Sequence, residues 1–192
     1  MLGRNGFLCN LPQTGGGSRL SDMTKEMILD KLLRAYSHQY DISPAVDAEG
    51  WHYPATATFY MRDENYVITK QAVIYAFEQY EYVYFYTTDH LDGASAKKLL
   101  DDTLKTGMTR VKPHKEHKSS YVSLVILADS MDEEAKRLIQ KTRFQKNFRL
   151  ALHGWMEYHI AAMEISTNSF LCNPAGKEAK KTLELNFGSE VN

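Results

Sequence analysis

The sequence has few cysteines and no long apolar run, and both absences narrow the class of protein. Cysteine occurs only at Cys9 and Cys172, which is too few for a disulfide framework, and neither residue is in a CxxC or Cys/His arrangement typical of zinc sites. No run approaches the roughly 18 apolar residues of a membrane span, and no apolar stretch of a secretory signal is present near the N-terminus. We therefore expect a soluble, intracellular protein of the cytoplasm.

Signatures of catalysis are also missing. The sequence has no GxGxxG, GxxxxGK[ST] or GxSxG motif and no nucleophilic-cysteine signature, which argues against dinucleotide, P-loop, α/β-hydrolase and cysteine-protease functions. His114 and His117 follow Pro113 in a basic segment and lack the i, i+4 spacing of a helical zinc motif. The leading interpretation is a binding or regulatory domain without a recognisable catalytic motif.

The composition is that of an ordinary globular domain, with 43% apolar, 11% aromatic and 24% charged residues among 192. The net charge is −1, but residues 1–96 hold 7 basic and 12 acidic side chains and residues 97–192 hold 16 and 12. This asymmetry indicates either a solvated helix face with a mobile loop or a patch for nucleic acid or an acidic partner. The cations cluster at Lys105, Arg110, Lys112, Lys115 and Lys118, and at Lys136, Arg137, Lys141, Arg143, Lys146 and Arg149.

Apolar periodicity begins near Met23, which divides the chain into three parts. Residues 1–22 lack periodicity and contain Gly15–Ser18, so we expect a disordered leader or an added, non-native segment. Residues 23–187 are expected to form one globular domain, and residues 188–192 a flexible tail. Whether copies of the domain associate into a homo-oligomer is left open.

The apolar patterns predict an α/β or α+β fold in which helices flank a mixed sheet of five or six strands, in the order α-β-β-β-α-β-α-β-β-α. Residues 63–65 are expected to form a turn, and residues 71–79 fit either a short helix or a bent strand. Asn173 and Pro174 suit the N-cap and first position of the last helix. Helices are predicted over 24–40, 94–106, 131–142 and 174–183, and strands over 55–62, 66–69, 80–88, 121–128, 147–153 and 155–165.

The central segments read as β-α-β-α-β, whose three strands would be parallel. Ligands in such sheets lie beyond the carboxyl ends of the strands, where this sequence has Asp89, His90, Asp129 and His153. These four side chains could hold a divalent metal ion or supply a general base, as in a small metal-dependent hydrolase. The alternative is that the aspartates cap helices or turns and that the histidines lie at the rim.

Tyrosine alternates with other residues at positions 80, 82, 84 and 86, so a strand here would present tyrosines on one face. The simpler interpretation is sheet packing with the hydroxyls at the rim, and the alternative is a stacking platform for a sugar or base. The candidate binding residues are Tyr82, Tyr84, Tyr86, Trp155, Lys112 and Lys115.

The α-β-β-β-α-β order of residues 24–128 resembles the core of restriction-endonuclease-like nucleases. In that family an acidic residue is followed, on the next strand, by Asp or Glu, any residue and Lys. Asp63 and Glu81 match the two acids, but position 83 is valine, so the motif lysine is absent. The pattern of Asp or Glu, any residue and Lys does occur at Glu134-Ala-Lys136, but these residues lie on a predicted helix. The resemblance implies a nucleic-acid-binding protein and leaves hydrolysis unsupported.

Overall fold

A computed structural model describes residues 23–67 and 73–188, with side chains described except at 64–67 and 73–76. The leader expected at residues 1–22 and most of the tail expected at 188–192 lie outside the described residues, and so do residues 68–72. Within the described part of the chain, no helix combines the length and apolar character needed to cross a membrane.

Four helices flank a mixed sheet of seven strands in a single domain, which confirms the α/β fold class with a sheet slightly larger than the five or six strands expected. The helices are α1 (Lys25–Tyr36), α2 (Gly93–Arg110), α3 (Glu133–Lys141) and α4 (Lys177–Phe187). The strands are β1 (Asp41–Ser43), β2 (Val46–Ala48), β3 (Trp51–Tyr53), β4 (Ala55–Val67), β5 (Val73–Leu91), β6 (His117–Met131), β7 (Gln145–Asn147), β8 (Trp155–Glu164) and β9 (Ser169–Cys172).

The strand order of the large sheet is β1-β4-β5-β6-β8, and β7 and β9 both pair with the outer side of β8. Strands β5, β6 and β8 are parallel, and the other pairs are antiparallel. Strands β2 and β3 form a separate hairpin. The predicted β-α-β-α-β unit is therefore present, with β8 as its third strand in place of residues 147–153.

Alternating side chains of the sheet build two apolar layers, one on each face. Helices α2 and α3 cover the face that carries Tyr82, Tyr84 and Leu124. Helices α1 and α4 cover the other face, where Val83 and Phe85 lie. The alternation on β5 thus assigns tyrosines to the α2/α3 face and apolar residues to the α1/α4 face.

The prediction of a strand over residues 147–153 is wrong. Leu150 and Leu152, whose alternation suggested it, are 95% and 77% exposed. Residues 149–151 have positive φ values of 47°, 54° and 68°, so the backbone coils in the left-handed region and does not extend. Met156, Tyr158 and Ile160 are buried instead, and their strand β8 lies beside β6. The short strand β7 pairs antiparallel with the first residues of β8.

The turn predicted at residues 63–65 is wrong as well, because β4 continues to Val67. Residue pairing runs without interruption from Ala55 opposite Phe85 to Val67 opposite Val73, so residues 63–65 are paired strand residues. Of the two readings of residues 71–79, the described part, from Val73 onward, is strand. The β-branched and aromatic residues that favour a strand thus outweigh the helical spacing there.

Side-chain caps fix the start of three helices. Thr24, Asp92 and Asp132 accept hydrogen bonds from backbone amides three residues later, as N-caps do. The predicted cap at Asn173 is wrong, since α4 begins at Lys177 behind Gly176. Asn173 is buried instead and bonds to backbone groups of three separate segments.

Glu164, at the end of β8, is a buried carboxylate with hydrogen-bond donors and a lysine as partners. It accepts from the Met131 amide at 2.8 Å and the Thr167 hydroxyl at 2.5 Å, and it pairs with Lys136 at 3.1 Å. Burial alone would raise the pKa of Glu164, but these partners together outweigh it and hold the pKa below its usual value.

This carboxylate makes stability depend on pH. Because the folded-state pKa is depressed, Glu164 stabilises the fold above the unfolded pKa of about 4.3 and stops doing so as pH falls through the folded value. We expect E164Q to lose about 2 kcal/mol at pH 7 and the difference from wild type to narrow below about pH 4 in urea unfolding. E133Q removes an exposed carboxylate that also pairs with Lys136 and should change little; a pH-independent loss in E164Q would contradict the assignment.

Candidate functional site

The structure brings three of the four predicted strand-end residues to one edge of the sheet. Asp89 and Asp129 both pair with Lys25 of α1, the latter at 3.1 Å, and His90 Nδ1 lies 2.9 Å from the Ser130 hydroxyl. The ammonium group of Lys25 therefore lies between the two carboxylates, at the place where one of the two alternatives from the sequence would put a metal ion. These ion pairs connect α1 to the ends of β5 and β6.

His153 does not join this group. It precedes β8, at the opposite edge of the sheet, where its carbonyl lies 2.7 Å from His117 Nδ1. Trp155, the first residue of β8, lies at that edge too. Within residues 23–67 and 73–188, no three His, Cys, Asp or Glu side chains are grouped so that they could hold a metal ion.

A cavity lies elsewhere, between α1 and α4 on the sheet face that those helices cover. We call it the α1/α4 cleft. Its volume is about 630 Å³, within the usual range for small-molecule sites of roughly 300–1,000 Å³. It is lined by Ala35, Tyr36, His38, Gln39, Tyr40, Glu81, Tyr121, His159, Glu178, Ala179 and Thr182.

Glu81 of β5 is the carboxylate on the floor of the cleft. Tyr40 donates to its Oε2 at 2.7 Å and Ser123 donates to its Oε1 at 2.5 Å. Ser123 reaches Glu81 because β6 is the parallel neighbour of β5. Each oxygen thus has one protein donor, which fixes the carboxylate while leaving lone pairs for a further partner.

Aromatic rings form the wall beside Glu81. The Tyr40 ring lies 5.0 Å from Tyr36 and 5.5 Å from Phe59 between centroids. Burial, together with the charge of Glu81, raises the pKa of Tyr40 well above its ordinary value. Tyr40 therefore stays a neutral phenol and a permanent hydrogen-bond donor to Glu81.

The far side of the cleft is built by His159 of β8. Its ring stacks on Tyr121 with centroids 4.7 Å apart and planes 28° from parallel. Its Nε2 lies 3.4 Å from a carboxylate oxygen of Glu157. The register of the parallel strands aligns Glu81, Tyr121 and Glu157 across the sheet, so two carboxylates flank the Tyr121 ring.

The cleft carries negative charge. Its described lining includes Glu81 and Glu178 but no lysine or arginine, and Glu157 adjoins it through His159. Sequence reasoning missed the site, although one signal was present: Glu81 is a carboxylate on a strand face whose next positions, Val83 and Phe85, are core residues. A charge at such a position needs partners.

The residues that match the nuclease motif are not assembled. The residue opposite Glu81 on β4 is Phe59, and Asp63 lies four positions further, about 13 Å along the strand. Lys136 of α3 pairs with Glu133 and Glu164, and Glu134 pairs with Arg137. Glu81 is thus separate from the other acid of the motif and from the α3 lysine.

The candidate binding residues fall into three environments. Tyr82 and Tyr84 are buried beneath α2, and Tyr86 packs against Trp51 with centroids 5.5 Å apart. Lys112 and Lys115 are exposed on the segment between α2 and β6, and Lys112 and Tyr82 line a second cavity there. Trp155, by the alternation of β8, lies on the opposite face of the sheet.

Comparisons with known proteins give one match. No curated protein and no solved structure is significantly similar to the chain. Residues 24–185 match a family described as a domain of unknown function, DUF8052. The match spans α1 to α4 and includes every residue that lines the α1/α4 cleft. Since it covers most of the chain, this protein belongs to the DUF8052 family.

Proposed function

We propose that this chain is a binding domain for a small organic cation, which it holds in the α1/α4 cleft. The observation that carries the proposal is the Glu81 carboxylate, fixed on the floor by Tyr40 and Ser123 in a cleft whose described lining has no lysine or arginine. A bound ammonium or guanidinium group would supply the missing positive charge through a charge-assisted hydrogen bond.

The aromatic wall supports the same ligand class. A cation within about 6 Å of a tyrosine ring is attracted to the ring face, and Tyr40 and Tyr121 both line the cleft beside Glu81. The alkyl or aryl part of the ligand would pack on Ala35 and Ala179, which lie on the two helices. The cleft therefore offers both a charged group and apolar surface to one ligand.

Binding is better supported than catalysis in this cleft. The Ser123 hydroxyl is buried and donates to Glu81, so it is not presented to a ligand as a nucleophile. The metal-dependent hydrolase has less support, because Lys25 lies between Asp89 and Asp129 and His153 is at the opposite edge. A binding or regulatory role in the cytoplasm agrees with the expectations from sequence.

The test compares three probes of one shape and different charge: benzylamine, benzyl alcohol and benzoate. We expect benzylamine to bind saturably, with NMR shifts at Tyr40, Tyr121 and His159, and the other two to bind at least tenfold more weakly. E81Q keeps the shape of the side chain but removes its charge and replaces one acceptor oxygen with an amide NH2 group, so it should remove the preference for the amine.

E133Q, which neutralises an exposed carboxylate on α3 at the other face of the sheet, is the matched control and should bind benzylamine like wild type. Equal binding of the three probes, or unchanged benzylamine binding in E81Q, would contradict the proposal.

A further inference from the structure

A second cavity lies on the α2/α3 face of the sheet, at the end of α2, and shares no lining residue with the α1/α4 cleft. We call it the α2-end cavity. Its volume is about 610 Å³. It is lined by Tyr80, Tyr82, Thr109, Arg110, Lys112 and His114. Three of these six side chains are basic, and none is acidic.

Arg110, the last residue of α2, is held in a fixed position. Its guanidinium lies 4.2 Å from the centroid of the Tyr82 ring, and its Nη2 donates to the Thr58 hydroxyl at 2.9 Å. The Tyr82 hydroxyl donates in turn to the Arg110 carbonyl at 3.2 Å. The guanidinium has five N–H donors, and the hydrogen bonds with Thr58 and Tyr84 use only part of them in a side chain that is already ordered.

Within the part of the chain that the structure describes, Arg110 and Lys112 form no ion pair, since neither side chain has a carboxylate within 4.0 Å. By contrast, the exposed lysines of α2, Lys97 and Lys98, pair with aspartates one turn away. The side chains of Arg110 and Lys112 can therefore pair with an anion from outside the protein.

The carboxylate beside the cavity, Glu78, does not neutralise them. It is 7% exposed and accepts from Tyr80 at 2.7 Å and Arg62 at 2.7 Å. His114 Nε2 lies 3.0 Å from it, and because His114 Nδ1 accepts from the Glu116 amide, Nε2 carries the proton that is donated. The Tyr80 hydrogen bond does most to hold the pKa of Glu78 below its usual value. Glu78 is thus an anion satisfied by its own partners.

We propose that the α2-end cavity binds a small phosphate monoester, with Arg110 and Lys112 on the phosphate and the ring of Tyr80 against the organic part. A guanidinium presents the paired donors that suit phosphate oxygens, and an ammonium adds a point charge. The recessed volume fits a molecule of nucleotide size. A nucleic-acid strand is disfavoured because its affinity comes from many phosphate contacts along an open surface.

Calorimetric titration of the full chain with phenyl phosphate, inorganic phosphate and a single-stranded oligonucleotide, at constant salt, tests the proposal. We expect one phenyl phosphate per chain, bound more tightly than inorganic phosphate. R110Q should weaken binding at least tenfold and K112Q several-fold. Lys112 is exposed, so K112Q keeps the test valid if R110Q fails to fold. K97Q, which removes an exposed cation from α2, should bind like wild type.

Four outcomes would overturn the proposal. They are no saturable binding of phenyl phosphate, equal affinity for inorganic phosphate, equal weakening in K97Q and K112Q, and tighter binding of the oligonucleotide with a steep salt dependence. E81Q should bind phenyl phosphate like wild type, because Glu81 faces the other side of the sheet. Failure at one cavity is therefore distinguishable from failure at the other.

Discussion

Replacing Asn173 with leucine is expected to lower the free energy of unfolding by about 3–5 kcal/mol, through the loss of several buried hydrogen bonds at once. Asn173 is 1% exposed. Its Oδ1 accepts from the amides of Ile160 at 3.0 Å and Gly176 at 2.7 Å, and its Nδ2 donates to the carbonyls of Tyr158 at 2.8 Å and Thr142 at 3.2 Å. One side chain thus joins β8, the end of α3 and the segment before α4.

Leucine has nearly the same shape but no polar atom, so these backbone groups stay buried without that partner. A loss of this size lowers the melting temperature by roughly 10 °C for a chain of this length. N186L provides the control, because the Asn186 amide makes only a local bond to Thr182 within α4; it should shift the melting temperature by a few degrees at most. Equal shifts in the two variants would show that the Asn173 bonds contribute little.

Replacing Gly154 with alanine is expected to cost about 3 kcal/mol, from strain and collision together. Its φ is +72°, a value that alanine adopts at a cost of about 1–2 kcal/mol. A Cβ here would lie 2.3 Å from the Lys118 carbonyl oxygen and 2.6 Å from that of His117. Both obstacles are backbone atoms, so relief requires β6 and the segment before β8 to move apart.

Gly50 allows the cost of a positive φ to be measured without a steric collision. Its φ is +83°, and a Cβ would have no neighbour within 4 Å. G50A should therefore lose about 1 kcal/mol, and the difference from G154A reports the collision. Urea unfolding of both variants gives the two values. A loss in G154A no greater than in G50A would contradict the close approach of the two segments.

The helices and the parallel strands were predictable because their signals are local. Thr24, Asp92 and Asp132 cap helices through their own side chains, and β6 is apolar on both faces because helices cover both. The wrong predictions concern segments whose structure depends on contacts with residues that are distant in sequence. Phe148, Leu150 and Leu152 alternate like a strand, yet residues 155–164 occupy the place beside β6.

The candidate site was harder to predict than the fold. Asp89 and Asp129 meet at one edge as expected from parallel strands, but Lys25, more than 60 residues away in sequence, lies between them. Glu81 and Ser123 come from β5 and β6, and Tyr40 comes from the segment between α1 and β1. Their association depends on the register of β5 with β6 and on the path of the chain after α1. Nothing local to any one of them indicates that association.

The two cavities lie on opposite faces of the same strand. Glu81 opens into the α1/α4 cleft, and its neighbours Tyr80 and Tyr82 open into the α2-end cavity. Deleting or inserting one residue in this part of β5 would turn every following side chain to the other face. The tyrosines would then replace the carboxylate, and the core residues Val83 and Phe85 would exchange layers with Tyr82 and Tyr84. A substitution in this part of β5 alters one layer at one position, whereas a change in the length of the strand alters both layers and both cavities together.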